Sequence, residues 1–159
     1  MSELSPERRY AEEAGVVLAG MGLPPAYGKL LGWLLICDPP RQTSGELAEA
    51  LDLSKGSVST GMRMLENSGF VRRVPIPGQR GHAYEVAPDA IIRSVAEPTK
   101  FRVFRELMDR GVTLAGGPDT PRADRVRITR DFYAYIEQEL LDLVERFKTE
   151  YFKKGDADG

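Results

Sequence analysis

Hydrophobic residues recur every three or four positions near the start of the chain, a spacing typical of an amphipathic helix. Ser5 and Pro6 form a helix-start signature ahead of this pattern. The apolar positions that follow are Tyr10, Ala14, Val17, Leu18 and Met21. Residues 22–25 end this helix and begin a second one, which is apolar on most of its sides up to the break at 38–40. We therefore expect the second helix to be central in the fold.

The next stretch predicts two short helices joined by a tight turn. Thr43 and Glu46 have the spacing of a capping box, and the helix that they begin ends near Leu51. Ser54 is suited to cap a further helix, which ends at 67–69. The apolar positions of that helix are Val58, Met62 and Leu65. They share one side of the helix, which predicts a single buried stripe.

A hairpin and a helical C-terminal region are predicted after these helices. Residues 70–74 and 82–86 are strand candidates on either side of a turn-rich tip at 75–81. Helices are expected at about 88–96, at 98–114 and from Thr120-Pro121 onward. The apolar positions of the last helix are Phe132, Ile136, Leu140, Leu143, Phe147 and Tyr151. A helix of about 30 residues is roughly 45 Å long, which exceeds the core of one small chain, so we expect it to pack against another subunit.

Composition excludes several classes of protein. The chain has 159 residues, and its longest apolar run, 30–37, is shorter than the roughly 20 residues that span a bilayer. Cys37 and His82 are the only residues of their types, which rules out most nucleophilic dyads and multi-histidine metal sites. No phosphate-binding GxxxxGK[ST] loop is present. The sequence therefore predicts a cytoplasmic protein that is not an enzyme and has no cofactor and no metal site.

Charge is segregated along the chain although the net charge is only −2. Residues 55–84 carry five basic side chains and one acidic side chain, a net charge of +4. Residues 128–159 carry five basic and eight acidic side chains, a net charge of −3. A basic middle segment that coincides with the second short helix and the hairpin favours an anionic partner.

These elements, in this order, predict a winged helix-turn-helix: a mainly helical fold with a small β-hairpin. The second short helix would bury its stripe and present its other side to a DNA groove, free of acidic side chains that phosphate would repel. Thr43 and Ser44 begin the helix before it, and Arg73 and Arg80 lie in the hairpin. The candidate DNA-binding residues are Thr43, Ser44, Ser54, Lys55, Gly56, Ser57, Ser59, Thr60, Arg63, Arg73 and Arg80.

The hairpin tip predicts a second contact with DNA. Arg80 lies between Gly78 and Gly81, where it can project into a narrow minor groove. Arg72 and Arg73 point to opposite faces of their strand, so only one faces a duplex easily, and the other can pair with Glu66 or Glu85. His82 is expected to touch phosphate or solvent. An alternative is a winged-helix module that binds a protein instead of DNA.

The chain also resembles the MarR family of regulators, most closely its GbsR-like branch. The resemblance runs from about Gly22 to Val86 and rests on the segments 28–35, 46–51, 53–59 and 77–80. It implies a homodimer on a palindromic operator in double-stranded DNA, with a recognition helix in the major groove and a wing arginine in the minor groove. It also implies dimerisation helices at both the N- and C-terminal ends: the implied domains are an N-terminal dimerisation helix at 1–24, a DNA-binding lobe at 25–87 and a C-terminal helical dimerisation region at 88–159. Gln79 departs from the acid that usually precedes the wing arginine.

The same resemblance implies a small-molecule effector that releases the protein from DNA. In the GbsR-like branch this suggests control of compatible-solute, choline-related or transport genes. The aromatic residues that could line a pocket for a quaternary ammonium are Tyr27, Trp33, Phe101, Phe104, Phe132, Tyr133 and Tyr135. Aromatic residues at helical spacing are more often core residues, so the sequence identifies no ligand.

Overall fold

The computed structural model describes residues 3–87, 89, 92 and 98–155. The helices in these ranges are α1 (Pro6–Gly20), α2 (Pro25–Ile36), α3 (Ser44–Leu51), α4 (Lys55–Asn67), α5 (Pro98–Leu114) and α6 (Asp124–Gly155). The strands are β1 (Val71–Pro75) and β2 (His82–Val86), and a 3-10 turn, Pro121–Ala123, precedes α6. This confirms the mainly helical fold with a small hairpin. The helix predicted at 88–96 lies largely outside the described residues.

The chain divides into two compact units, Met1–Ser94 and Val95–Gly159. The first unit contains α1 to β2, and the second contains α5 and α6. The predicted division at 1–24, 25–87 and 88–159 concerns dimerisation and DNA binding, which compactness does not measure, so it stays a prediction.

Within the first unit, α2 is the central helix, as predicted, and it packs against α1 through small residues. Ala11 and Gly15 are the buried residues of α1. A Cβ added at Gly28 of α2 would lie only 2.8 Å from the Cα of Gly15. Lys29 also bonds Glu12 across the two helices at 2.8 Å. Glycine at these positions lets the helix backbones approach closely, which a larger side chain would prevent.

Most of the large apolar residues that set the predicted periodicity of α1 lie outside its buried face, although Leu18 is half-buried against the core. Val17 is 59% exposed and Met21 is 72% exposed, whereas Ala11 is fully buried. Small residues contribute little to a hydrophobic pattern, so the sequence does not reveal that they face α2. Together with Leu35 and Ile36 of α2, the large residues leave an exposed apolar surface on the first unit.

The helices α3 and α4 complete the core of the first unit. Both are capped as predicted: Thr43 and Glu46 form the capping box of α3, and Ser54 Oγ accepts a hydrogen bond from the Ser57 amide at 3.1 Å. The residues that bury almost completely against α2 are Leu47, Leu51, Val58, Met62 and Leu65. The predicted stripe of α4 is therefore confirmed. It fixes which side of α4 remains exposed.

β1 begins and ends one residue later than predicted. The amide of Phe70, the predicted first residue, donates to the Leu65 carbonyl of α4 at 3.0 Å, and its ring packs edge-on against Tyr27 with 6.4 Å between ring centroids. β2 has its predicted bounds, and the strands pair with Arg72 opposite Glu85 and Arg73 opposite Tyr84. Gln42 adds a bridge on the other side of β2. It exchanges two backbone hydrogen bonds with Tyr84, at 3.0 and 2.8 Å.

The second unit is a helical hairpin in which Glu137 of α6 binds Arg105 of α5 at 3.0 Å. At 32 residues, α6 is about 48 Å long. It begins at Asp124, because a 3-10 turn takes up the predicted start at Thr120-Pro121. The exposed members of its predicted apolar stripe are Phe132, Leu143, Phe147 and Tyr151. No helix within the described ranges is long and apolar enough to cross a membrane.

Candidate nucleic-acid interface

α4 has one buried side and one exposed side of different chemistry. Val58, Gly61, Met62 and Leu65 are buried. The candidate residues Ser54, Lys55, Gly56, Ser59, Thr60 and Arg63 are exposed, and Ser57 is half-buried. The exposed side thus presents hydroxyl groups, bare backbone and two cationic side chains. Such groups can bond both base edges and phosphates.

The two glycines of α4 have different surroundings. A Cβ added at Gly56 would meet only Ser54 Oγ, at 3.9 Å, so this position opens to solvent. A Cβ added at Gly61 would overlap the Leu30 side chain of α2. Gly61 therefore permits the close contact between α4 and α2. Gly56 leaves the exposed side of α4 without a side chain at that position.

The hydroxyl groups near the helix starts are partly engaged. Ser54 Oγ donates to Ser57 Oγ at 2.9 Å in addition to capping α4. Thr43 Oγ1 accepts from the Glu46 amide at 3.2 Å, and Ser44 is exposed at the first turn of α3. Thr43 and Ser54 therefore position helix starts, while Ser44, Ser59 and Thr60 present exposed side chains.

The candidate cationic residues differ in their partners. Lys55, Arg63 and Arg80 form no ion pair with any part of the chain that the structure describes. Arg73 binds Glu66 through two hydrogen bonds, at 2.6 and 3.1 Å, which raise its pKa. Its guanidinium also lies 5.9 Å from the centre of the Tyr84 ring. Arg73 thus links strand β1 of the hairpin to α4.

Arg72 points to the opposite face of β1, as predicted, and binds Glu85 at 2.7 Å. Both acids named as possible partners are therefore used, one by each arginine. Arg41, which precedes α3, binds the same Glu85 at 2.8 Å. The sequence analysis missed Arg41, because its proximity to Glu85 depends on the bridge between Gln42 and Tyr84.

The tip of the hairpin presents Arg80 on a backbone that requires glycine. Gly78 and Gly81 have φ values of 73° and 116°, a region that side chains rarely adopt. Gln79 and Arg80 are both exposed. His82 is half-buried, with its Nε2 atom 3.1 Å from the Tyr84 hydroxyl, and its predicted contact with phosphate or solvent stays a prediction. The paired strands place these two rings edge to face.

A cleft of about 300 Å³ lies between the start of α2 and the exposed side of α4. Its lining residues are Pro24, Ala26, Tyr27, Gly56, Ser57, Thr60, Gly61 and Met64. Burial raises the pKa of Tyr27. Three candidate DNA-binding residues, Gly56, Ser57 and Thr60, therefore share this cleft.

The predicted aromatic residues are divided between the two units, and ring contacts occur within each unit. Tyr27 packs against Phe70, and Trp33 donates a hydrogen bond to Gln42 at 3.4 Å, both in the first unit. In the second unit, Tyr133 contacts Phe101, Phe104 and Phe132, with ring centroids 4.4–6.1 Å apart. Within the described ranges, no three His, Cys, Asp or Glu side chains group as a metal site would require.

A capped helix, a tight turn, a second helix with an exposed polar side and an arginine-tipped hairpin define a winged helix-turn-helix protein. Residues 21–80 match a MarR family model, and residues 89–150 match a model described as an MmpR5-like MarR family transcriptional regulator. The chain is 37% identical to the HTH-type transcriptional regulator MmpR5 of Mycobacterium tuberculosis (strain ATCC 25618 / H37Rv), over 87% of this chain and 84% of the relative. This chain belongs to the MarR family of transcriptional regulators.

A solved structure described as a transcriptional regulator has the same fold, with a TM-score of 0.78 and 35% sequence identity. The match covers 89% of this chain and 97% of that chain. MarR family regulators are DNA-binding transcription factors that act as dimers, and they are not enzymes. The matched branch model is MmpR5-like, so the GbsR-like assignment is not confirmed and stays a prediction.

Proposed function

We propose that this MarR family regulator is a homodimeric repressor that binds a palindromic operator and is released by a small-molecule effector. The observation that carries the proposal is the exposed side of α4. Its cationic residues, Lys55 and Arg63, form no ion pair with the described residues, and no acidic side chain lies between them in the sequence. Phosphates can therefore bind these charges without first breaking an internal ion pair.

The homodimer is supported by apolar surface that the chain leaves exposed. Phe132, Leu143 and Phe147 of α6 are 58, 54 and 44% exposed, and they repeat at helical spacing. Exposed apolar stripes of this kind usually mark protein interfaces. Dimerisation would provide two recognition helices, and two-fold symmetry in the protein corresponds to a palindrome in the operator.

Release by an effector is supported by the cleft of about 300 Å³ beside α4. A ligand in this cleft would touch Gly56, Ser57 and Thr60, which belong to the proposed DNA-reading side. It would thereby compete with DNA for the same atoms or hold α4 away from the groove. If the predicted GbsR-like assignment holds, compatible-solute and choline-related compounds are the ligands to test first.

Footprinting on the DNA flanking the gene tests the proposal. We expect protection of two half-sites about 34 Å apart, or one helical turn, because each protomer contributes one α4. Protection of a single unsymmetric site, or of none, would contradict the dimeric operator. Transcription from the protected promoter should rise when the protein is absent if it is a repressor and fall if it is an activator.

The substitution Arg80→Ala tests the wing. It should weaken operator binding, because it removes a guanidinium that would neutralise DNA charge. The slope of log K against log salt should fall by about 0.9 per lost phosphate contact. Fluorescence anisotropy at several salt concentrations measures both values. Gln79→Ala, which changes the neighbouring exposed residue without changing charge, is the matched control. Equal affinity and slope for Arg80→Ala and the unchanged protein would show that the wing makes no contact.

A further inference from the structure

Arg41, Glu85 and Arg72 form a row across the wing sheet, which we call the arginine row. Gln42 bridges Tyr84, so the preceding residue, Arg41, lies beside Glu85 on one side of β2. On the other side of β2, Arg72 is the register partner of Glu85. Residues paired across adjacent strands point to the same face, so the three side chains stand together on one face of the sheet.

Glu85 holds both guanidinium groups through its two carboxylate oxygens. Oε2 accepts from Arg41 Nε at 2.8 Å, and Oε1 accepts from Arg72 Nε at 2.7 Å. These hydrogen bonds hold the pKa of Glu85 below its usual range. The carboxylate therefore stays ionised near neutral pH, and the row carries a net charge of +1.

The N–H groups of the two guanidinium groups that do not bind Glu85 remain available to bind a ligand. The side chain of Glu85 is only 13% exposed, whereas those of Arg41 and Arg72 are 57 and 67% exposed. A guanidinium has five N–H donors, and each arginine uses only one or two of them on Glu85. Two oriented cationic forks around a shielded acid suit a tetrahedral oxyanion such as a phosphate.

The arginine row lies between two elements that the proposed function brings to the duplex. Arg41 lies two residues before Thr43, the cap of α3, and the first helix of a helix-turn-helix crosses the DNA backbone. Arg72 lies three residues from Pro75, where β1 ends, which is about 10 Å of strand. The row thus joins the start of α3 to the stem of the wing that carries Arg80.

The ion pair between Arg73 of β1 and Glu66 of α4 shows how this row differs from an ordinary ion pair. Arg73 and Glu66 form one pair with no net charge, and both oxygens of Glu66 are bound by the same guanidinium. In the arginine row, one carboxylate serves two arginines and leaves one positive charge uncompensated. A purely structural link between β2 and its neighbours would not need this excess charge.

We propose that Arg41 and Arg72 form a phosphate-binding site for the backbone of duplex DNA, in which Glu85 is the positioning residue that orients both guanidinium groups. This proposal rests on the proposed DNA-binding function, and it adds two contacts that the recognition helix and the wing tip do not supply. The site binds phosphate, so it contributes affinity for DNA of any sequence and carries no base preference.

The test uses the full chain and the operator duplex defined by footprinting, with binding followed by fluorescence anisotropy from 50 to 200 mM salt. Arg41→Met and Arg72→Met keep the aliphatic stems and remove the charge. Each should lower the slope of log K against log salt by about 1.8 per dimer, since two phosphate contacts of about 0.9 each are lost. From 50 to 200 mM salt, the operator affinity of the unchanged protein should therefore fall about 12-fold more than that of either variant.

Arg9→Met is the matched control, because Arg9 is an exposed arginine of α1 that forms no ion pair with the described residues. It should leave the salt slope unchanged. Thermal unfolding of each variant confirms that it is folded, and the two single variants provide independent tests. The double variant should lose about twice the slope of either single variant.

Two outcomes would overturn the site. Lower unfolding temperatures for Arg41→Met and Arg72→Met with unchanged salt slopes would show that the row only links the strands. An equal loss of slope in Arg9→Met would show a general effect of net charge. In both cases the unchanged protein still binds its operator, so the proposed function stands. Failure of the unchanged protein to bind any duplex would overturn the function and the site together.

Discussion

Gly56 and Gly61 lie on the same helix, yet one faces solvent and the other faces Leu30. Glycine weakens the interior of a helix, so two glycines in a helix of 13 residues call for a physical reason. At Gly61 the answer is packing, because a side chain would overlap Leu30 of α2. At Gly56 no described residue crowds an added side chain, and we propose that glycine there allows close approach of an external partner.

This contrast gives a prediction at the residue scale. Gly56→Leu should abolish operator binding while leaving stability equal or higher, because leucine favours a helix by up to about 1 kcal/mol over glycine. Gly61→Leu should instead lower the free energy of unfolding by about 1–3 kcal/mol through overpacking. Anisotropy titration and chemical denaturation measure the two effects. Normal operator binding by Gly56→Leu would contradict the assignment of this side of α4 to DNA.

At the scale of single elements, α4 is a helix with weak intrinsic propensity that depends on its cap and its buried stripe. Ser54 caps it through the Ser57 amide, whereas Ser59 is exposed and has no hydrogen bond to another described residue through its side chain. Two serines of one helix thus have different roles: one stabilises the helix, and the other is free to contact a groove.

Ser54→Ala should lower the free energy of unfolding by about 1 kcal/mol, because the cap hydrogen bond is lost. Ser59→Ala should leave stability unchanged or slightly higher, since alanine has the better helix propensity, but it should weaken operator binding. Thermal unfolding and anisotropy separate the two effects. Weaker binding with full stability in Ser54→Ala, or a loss of stability in Ser59→Ala, would contradict these roles.

The wing sheet gives a prediction about pH. Arg41 and Arg72 lower the pKa of Glu85 in the folded protein, relative to about 4.3 in the unfolded chain. The resulting stabilisation is complete above the unfolded pKa and is lost as the pH falls through the folded pKa. Glu85→Gln should therefore be less stable than the unchanged protein at pH 6–7, and the difference should shrink below about pH 4.

Unfolding temperatures measured from pH 7 to pH 3 check this expectation. Glu49→Gln is a suitable control, because it removes an exposed carboxylate that forms no ion pair with the described residues. A constant difference between the unchanged protein and Glu85→Gln at every pH would show that the ionised carboxylate does not stabilise the sheet.

At the scale of the whole molecule, the exposed apolar residues of α6 predict that the protein dimerises. Phe147→Asp places a charge in the stripe and should convert the dimer into monomers, with operator binding reduced by at least about 100-fold because the two half-sites are no longer linked. Glu139→Ala alters an exposed polar position on the same helix and should remain dimeric. Sedimentation at micromolar concentration measures the association state. A monomeric unchanged protein, or a dimeric Phe147→Asp protein, would contradict this interface.

The sequence by itself determined the order and nearly all the bounds of the described elements, because helix caps, turn residues and the periodicity of large apolar residues are local signals. It also determined which side of α4 is buried, since Val58, Met62 and Leu65 are large and regularly spaced. Only the tertiary structure decided that α1 packs through Ala11 and Gly15, because small residues give a weak periodic signal. It alone decided which arginine binds Glu66 and which binds Glu85, and it alone brought Arg41 to the wing, because these pairs depend on how strands and helices meet, which no local pattern encodes.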